Sequence, residues 1–281
     1  MGAVQAAVNQ VAERTLVGRR IFEAIPTTAA LLVSFGWERP APAEGQPDAD
    51  LKTYLAKTRG TPTMLWTDLV VDPAELAEAH ADRAQLPDLA KKVRELAAAE
   101  DLTVFKTVSD KAAETSRVSA RTEDDLHRGA LEAIFSATTR MRQHGHLGEL
   151  ALVATVVSVP DPDDTKPPHV VDLLTRLAQA GSLRAVQQFF SAGVFAAKLP
   201  DGLAALVVAP GSADVRIMVA QNYEVTWLGV DLAVGPADQP ADQPRVRYGP
   251  HLRFGVSVSL SVYVGDGTAL QRVELALTPA S

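Results

Sequence analysis

The sequence of 281 residues contains no cysteine. Disulfides, thiolate metal sites and thiol nucleophiles are therefore excluded, and a cytoplasmic location is expected from this composition. Aromatic residues make up only 5% of the chain, although 47% of it is hydrophobic. The core is therefore predicted to consist of small and β-branched side chains rather than large rings.

Positive charge and long apolar runs are also scarce. The formal net charge is −7, and nucleic-acid binding requires a dense field of lysine and arginine, so nucleic acid is not expected as the main partner. Without a run of ~18 apolar residues, no membrane span is predicted. The N-terminal sequence lacks an apolar region followed by a cleavage site, so no secretion signal is expected.

The motifs of the common enzyme classes are missing as well. The chain has no GxGxxG, GxxxxGK[ST], GxSxG or HExxH pattern. We therefore predict no catalytic residues, no cofactor and no metal ion. A soluble α/β enzyme without a recognisable motif is the weakest of the alternatives that stay open.

Three polar clusters contain residue types that can carry chemistry. Glu100 and Asp101 are adjacent in a predicted helix and so face different directions, which favours a polar collar or ion pair at a helix end over an acid–base pair. His144 and His146 could bind zinc on a strand, but a solvated turn is the better prediction. The acidic stretch 161–164, DPDD, lacks the glycine and the distal glutamate of an EF-hand loop, so a solvated loop is predicted there.

Hydrophobic periodicity predicts an α+β fold with a mixed second half. The period-two alternation of Val256, Val258 and Leu260 with serines is typical of a half-buried strand. The GDG at 265–267 predicts a hairpin turn. The predicted helices cover 3–25, 87–105, 122–143, 169–180 and 182–191, and the predicted strands cover 29–35, 63–73, 149–159, 204–210, 214–234 and a hairpin within 251–277. A long excursion rich in proline and charge spans 38–62.

Four blocks of the sequence resemble the encapsulins, the bacterial nanocompartment shell proteins, in their order and spacing. These blocks are AERTLVGRRIFEAI at 12–25, the segment 61–107 that contains AAAEDLTVF, LEAIFSATTRMRQHGHLGELALV at 131–153, and VRIMVAQNYEVTWLGVD followed by LRFGVSVSLSVYV. The resemblance implies the HK97 phage capsid fold, with an N-terminal helix, an extended E-loop, a P-domain with a spine helix, and an A-domain.

The resemblance also implies a division of the chain. Residues 1–36 would form the N-terminal helix and first strand, 37–62 the E-loop, 63–146 the first part of the P-domain, 147–233 the A-domain, and 234–281 the return strands of the P-domain and the C-terminal tail. A β-arm such as the E-loop is unstable alone in water and is expected to pair with a neighbouring subunit.

The function implied by the resemblance is enclosure. The chain would form a homo-oligomeric icosahedral shell in the cytoplasm, hold a cargo enzyme through a short targeting peptide, and admit small solutes through pores. The cargo peptide would contact an apolar strip of Val11, Leu16, Ile21 and Phe22. The alternative is a phage or prophage major capsid protein that packages DNA, against which the acidic charge counts modestly.

Overall fold

The structure, a computed structural model, describes residues 2–26, 51–54, 63–74, 76–77, 87–120, 123–159, 169–232 and 250–277. The predicted strand at 29–35, most of the 38–62 excursion and the loop at 161–164 lie outside these ranges. By residue number, unit 1 comprises 1–15, 26–99 and 219–261, and unit 2 comprises 16–25, 100–218 and 262–281.

Helices and strands alternate along much of the chain. The helices are α1 (Gly2–Thr15), α2 (Gly18–Ile21), α3 (Pro87–Lys111), α4 (Glu123–Gln143), α5 (Leu173–Gln179), α6 (Leu183–Phe189) and α7 (Pro210–Ala213), with a 3₁₀ turn at Gly267–Ala269. The strands are β1 (Glu23–Pro26), β2 (Leu51–Tyr54), β3 (Thr63–Val71), β4 (Glu114–Ala120), β5 (Ala151–Ala154), β6 (Val156–Val159), β7 (His169–Asp172), β8 (Gly193–Ala196), β9 (Leu203–Val208), β10 (Val215–Leu232), β11 (Pro250–Val264) and β12 (Leu270–Leu277).

The N-terminal helix ends earlier than its sequence pattern predicts. Val4, Val8 and Ala12 recur at a spacing of four and are all buried, which holds α1 as a helix. The helix nevertheless stops at Thr15, and the chain re-enters a single helical turn at α2. Phe22 is extended, and β1 follows it. The prediction of one helix over 3–25 is therefore wrong after Thr15, because Leu16 and Phe22 are buried through a change of chain direction rather than on the α1 stripe.

The two long helices follow their apolar stripes. In α3 the stripe continues past the predicted end at 105, because Val108 is also buried, and the helix reaches Lys111. In α4 the predicted stripe is confirmed: all of its residues are at most 5% exposed, namely Leu126, Ala130, Ala133, Ile134, Ala137 and Met141. Small side chains on this stripe allow α4 to pack against β4, β12 and β9.

The first sheet has the strand order β1-β10-β11-β3-β2. β11 pairs antiparallel with β3, from Leu252 opposite Val71 to Leu260 opposite Thr63. Val256, Val258 and Leu260 are fully buried, as the alternation predicts, but Ser257 and Ser259 are buried too. Both faces of β11 are therefore covered here. A central strand can bury its polar residues where they find hydrogen-bond partners.

The predicted C-terminal hairpin is wrong, because β11 and β12 belong to different sheets. Asp266 accepts hydrogen bonds from the backbone N–H and the hydroxyl of Thr268, at 2.8 and 2.7 Å, and this shapes a 3₁₀ turn. The N–H of Ala113 donates to the Gly267 carbonyl at 2.9 Å. A Cβ at Gly267 would lie 2.2 Å from the Lys111 carbonyl oxygen, so only glycine allows this approach.

The second sheet has the strand order β4-β12-β9-β5-β8. All six residues of β9 are buried. β12 lies between β4, to which it is parallel, and β9, to which it is antiparallel. β4 was not predicted, because its sequence ETSRVSA is mostly polar and its only large apolar side chain is Val118.

A two-stranded antiparallel ribbon, β6 with β7, replaces part of a predicted helix. Val157 faces Val171 across the ribbon, and both are buried. The predicted helix 169–180 therefore begins only at Leu173. Asp172 sets this start, since its carboxylate accepts the N–H of Leu174 at 3.0 Å and so caps α5.

Candidate functional site

The most deeply buried charged groups join α2 to the middle of α3. The Asp101 carboxylate accepts the backbone N–H of Val17 at 2.9 Å and that of Gly18 at 2.8 Å. Both bonds lie at the start of α2, so a carboxylate 83 and 84 residues away supplies the cap that Val17 itself does not. We call Glu100, Asp101, Arg19 and these two N–H groups the α2 clasp.

Glu100 forms the second half of the clasp. Its side chain is completely buried and binds the Arg19 guanidinium through two bonds, Nε to Oε1 at 2.6 Å and Nη2 to Oε2 at 3.1 Å. The paired geometry matches the fork of a guanidinium to a carboxylate. The neighbouring carboxylates therefore contact successive residues of one segment, which agrees with a structural ion pair rather than an acid–base pair. They do not end their own helix, since they lie in the middle of α3, and the helix end that they contact is the start of α2.

Glycine at position 18 allows the clasp to close. A Cβ there would lie 3.1 Å from Asp101 Oδ1 and 3.3 Å from Val104 Cγ1. Both distances are shorter than an ordinary side-chain contact. The α2 backbone can therefore approach α3 closely only because this residue has no side chain.

Asp101 is 4% exposed, and burial raises the pKa of its carboxyl to about 6. The N–H groups of Val17 and Gly18 act in the opposite direction and lower that pKa. The Glu100 carboxylate raises it further, whereas the Arg19 guanidinium lowers it. The clasp therefore contains one carboxyl that changes its protonation close to neutral pH.

The four residues predicted to bind a cargo peptide lie in two kinds of environment. Leu16 and Phe22 are each 3% exposed, and the Phe22 ring lies 6.4 Å from that of Phe105 in a tilted arrangement. Val11 and Ile21 are half-buried. Leu16 and Phe22 are thus core residues of the subunit as described, and the assignment of all four to a cargo-binding strip stays a prediction.

Ile21 borders an open cleft of about 530 Å³ in unit 2. The cleft is of mixed character, with one cationic and one anionic side chain on its walls, and its lining includes Arg20, Ile21, Glu149, Ser191, Pro210 and Ser212. The Arg20 guanidinium lies 5.1 Å from the centre of the Phe195 ring, which fixes its position by a cation–π contact. The clasp holds Arg19, which directly precedes the cleft residue Arg20.

The other polar clusters do not converge on a site. His144 Nε2 lies 3.0 Å from Glu114 Oε1, whereas the buried His146 lies 2.9 Å from the Thr268 hydroxyl. Across the residues that the structure describes, no group of three or more His, Cys, Asp or Glu side chains could hold a metal ion. In the same part of the chain, no helix has both the length and the apolar character needed to cross a membrane.

The fold is similar to that of a virus-like particle protein from Pyrococcus furiosus. The TM-score is 0.56 at 11% sequence identity, and the match covers 96% of this chain and 97% of that one. The chain has an HK97-like capsid fold. Its α+β class, predicted from the sequence, is confirmed.

Other solved structures with some similarity to this HK97-like chain are also capsids. The mature capsid of bacteriophage PhiM1 matches with a TM-score of 0.48 at 9% identity, over 93% of this chain and 87% of that one. The capsid of an empty GTA particle matches with a TM-score of 0.45 at 14% identity, over 93% and 90%. No protein-family model and no curated protein sequence matches the chain.

Sequence reasoning missed the partners that hold the N-terminal segment of this capsid-like fold. No pattern in the sequence identifies Arg19 or Gly18 as part of such a contact. Gln5 was also missed: its Nε2 donates to the Tyr223 carbonyl at 2.7 Å and its Oε1 accepts the Val225 N–H at 2.9 Å. One signal was present, since the polar Gln5 lies beside the buried Val4 and Val8 of α1.

Proposed function

We propose that this chain is a self-assembling icosahedral shell protein of the encapsulin type, which encloses a cargo enzyme and admits small solutes through pores. The HK97-like capsid fold carries the proposal, since it is shared over 96% of the chain with a protein whose structure is a virus-like particle. The four encapsulin-like sequence blocks favour the encapsulin type. The role is structural rather than enzymatic.

Self-association is the central step of this function. The proposed E-loop, residues 37–62, contains β2, which pairs antiparallel with β3 from Leu51 opposite Thr67 to Tyr54 opposite Met64. This pairing supports an arm that leaves the P-domain and returns along β3. An arm of two strands gains stability by pairing with a neighbouring subunit, so the shell would be a homo-oligomer.

The A-domain, proposed for residues 147–233, would surround the symmetry axes. Its ribbon of β6 and β7 exposes Val156 and Val170. Exposed apolar side chains on a short two-stranded ribbon support contact with other copies of the chain.

Cargo binding is proposed for the predicted strip of Val11, Leu16, Ile21 and Phe22. Of these, Ile21 best supports a direct contact, because it is half-buried and borders the cleft of unit 2. A short peptide could place an apolar side chain against Ile21 and a charged one against Arg20 or Glu149. Leu16 and Phe22 would support the strip from within the subunit.

Electron microscopy of the purified full-length protein tests the shell. Closed particles of uniform diameter, tens of nanometres across, are expected after size-exclusion chromatography. A small discrete oligomer under several salt and pH conditions would refute assembly into a shell.

The contents of the particles separate the encapsulin from the phage capsid, which has the same fold. A co-purifying protein identified by mass spectrometry supports a compartment. Packaged DNA, detected by its absorbance and by nuclease-resistant recovery, supports a capsid. The net charge of −7 favours the compartment.

Substitution of Ile21 by Asp tests the cargo site. The variant is expected to form normal shells with at least ~10-fold less cargo per shell, since a charge on the cleft wall opposes an apolar anchor at a cost of about 1.4 kcal/mol or more. Leu147→Asp is the control, because Leu147 is 79% exposed and does not line the cleft. Equal loading in both variants would move the cargo site elsewhere.

A further inference from the structure

The α2 clasp places a titratable carboxyl where its ionisation is coupled to the docking of a short segment. We propose that the clasp is a proton-sensitive latch, in which residues 16–22 are held more tightly on α3 when the Asp101 carboxyl is protonated and less tightly when it is ionised. This property belongs to the subunit and does not depend on shell assembly or cargo.

The geometry defines the closed state of the latch, and the open state is the one in which the segment 16–22 has left α3. In the closed state, Val17 and Gly18 cover the carboxyl, which is 4% exposed, and Leu16 and Phe22 are buried beside it. Opening of the segment 16–22 removes these covering groups and returns the carboxyl to water. The docking of the segment therefore changes the solvation of one particular acid.

Two other charged groups act on this carboxyl. Glu100, on the same helix, is completely buried, and its negative charge opposes ionisation of Asp101. Arg19, on α2, favours that ionisation, but its guanidinium is bound to Glu100 through two hydrogen bonds. Closing the segment thus brings two carboxylates and one guanidinium together within a buried cluster.

The sign of the coupling follows from the two pKa values. Burial raises the pKa of Asp101 to about 6 in the closed state, from an ordinary value of 3.8 that applies when the carboxyl is in water. The closed state therefore binds the proton more tightly than the open state, and acidification from pH 6 towards pH 4 favours closing. Above pH 6 the ionised carboxyl keeps its two N–H donors, which partly offset the cost of burying the charge.

Protonation changes the hydrogen bonds in a way that the cluster can accommodate. Val17 donates to Oδ2 and Gly18 donates to Oδ1. A proton on one oxygen removes one of these acceptors and leaves the other. The loss of one charge-assisted bond is already included in the Asp101 pKa of about 6 in the closed state, because the two backbone donors are among the groups that set this pKa.

Hydrogen exchange measured by mass spectrometry on the full-length protein tests the latch. Exchange of peptides covering residues 16–22 is followed between pH 4.5 and pH 7.5 and corrected for the intrinsic chemical rate. Protection is expected to fall by about 30-fold from the lower to the higher pH, as pKa values of about 6 and 3.8 require. Peptides from the α4 core, which includes the buried Ile134, report global unfolding, and their protection is expected to exceed that of residues 16–22 at both pH values.

The Asp101→Asn variant removes the titrating group at nearly constant size. Its protection at residues 16–22 is expected to vary by less than ~3-fold over the same pH range. Constant protection of this segment in the wild-type protein overturns the latch, and that measurement needs no variant. An unchanged pH dependence in Asp101→Asn overturns it as well.

Discussion

The two N-terminal helices are held in their respective units by different kinds of contact. α1 buries the apolar side chains Val4, Val8 and Ala12 and adds the Gln5 amide, which bonds to the backbone of β10. α2 is a single turn held by the buried carboxylates of Glu100 and Asp101. Apolar burial contributes in small increments, whereas a buried ion pair depends on the presence of both partners.

Removal of Arg19 should break the α2 contact most severely. Arg19→Ala takes the guanidinium from the buried Glu100, and loss of one partner of a buried pair costs about 3–5 kcal/mol of unfolding free energy. Chemical denaturation measures this change. Arg20→Ala is the matched control, because Arg20 is exposed and should cost less than ~1 kcal/mol through its contact with Phe195. Equal losses of unfolding free energy in the two variants would show that the buried pair of Arg19 with Glu100 contributes no more than the exposed Arg20.

Removal of the Gln5 amide tests the polar contact of α1. Gln5→Ala leaves the Tyr223 carbonyl and the Val225 N–H without this partner, so a loss of about 1–3 kcal/mol is expected from chemical denaturation. Gln10→Ala, at an exposed position of the same helix, should change stability by less than ~0.5 kcal/mol. A loss at position 10 as large as that at position 5 would show that the two bonds from Gln5 to β10 are not the cause of the effect.

A methyl group at position 18 should strain the clasp without removing any charge. Gly18→Ala places a Cβ 3.1 Å from Asp101 Oδ1, so a loss of about 1 kcal/mol is expected in the same measurement. Gly2→Ala has no atom within 4 Å of its Cβ and should be neutral or slightly stabilising. A stabilised Gly18→Ala protein would mean that α2 can shift away from α3 at no cost.

An exposed ion pair on α3 sets the lower limit for the stability that a charged pair contributes. Lys106 Nζ lies 3.0 Å from Asp110 Oδ2, with the two side chains 65% and 59% exposed. Asp110→Ala is therefore expected to change the unfolding free energy by less than ~0.5 kcal/mol, since surface pairs contribute little. A loss comparable to that of Arg19→Ala would contradict the view that burial makes the difference.

The elements with a repeated apolar spacing could be predicted from the sequence. The helices predicted at 87–105 and 122–143 are confirmed as α3 and α4, because an apolar stripe depends on neighbours three or four positions away in one helix. The strand character of β11 is likewise confirmed. Its partner could not be predicted, since alternation specifies a strand but not the strand beside it, and the proposed pairing of β11 with β12 was wrong for that reason.

The α2 clasp could not be predicted from local sequence patterns. Neither the end of α1 at Thr15 nor the role of Arg19 follows from residues nearby in the chain. The start of α2 and the role of Arg19 depend on carboxylates more than 80 positions away, which a local pattern does not specify. The adjacency of Glu100 and Asp101 indicated that they were structural, but it did not identify the groups that they bind.

The position of β12 has a consequence for the synthesis of the protein. β12 ends at Leu277, yet it lies between β4 and β9 and is parallel to β4, which ends at Ala120. The second sheet therefore cannot be completed while the ribosome is still translating the intervening residues, a delay of roughly 10–30 s at ~5–20 residues per second. Until then β4 lacks its neighbour in the sheet, so the second sheet of a nascent chain stays incomplete until almost all of the described residues have been synthesised.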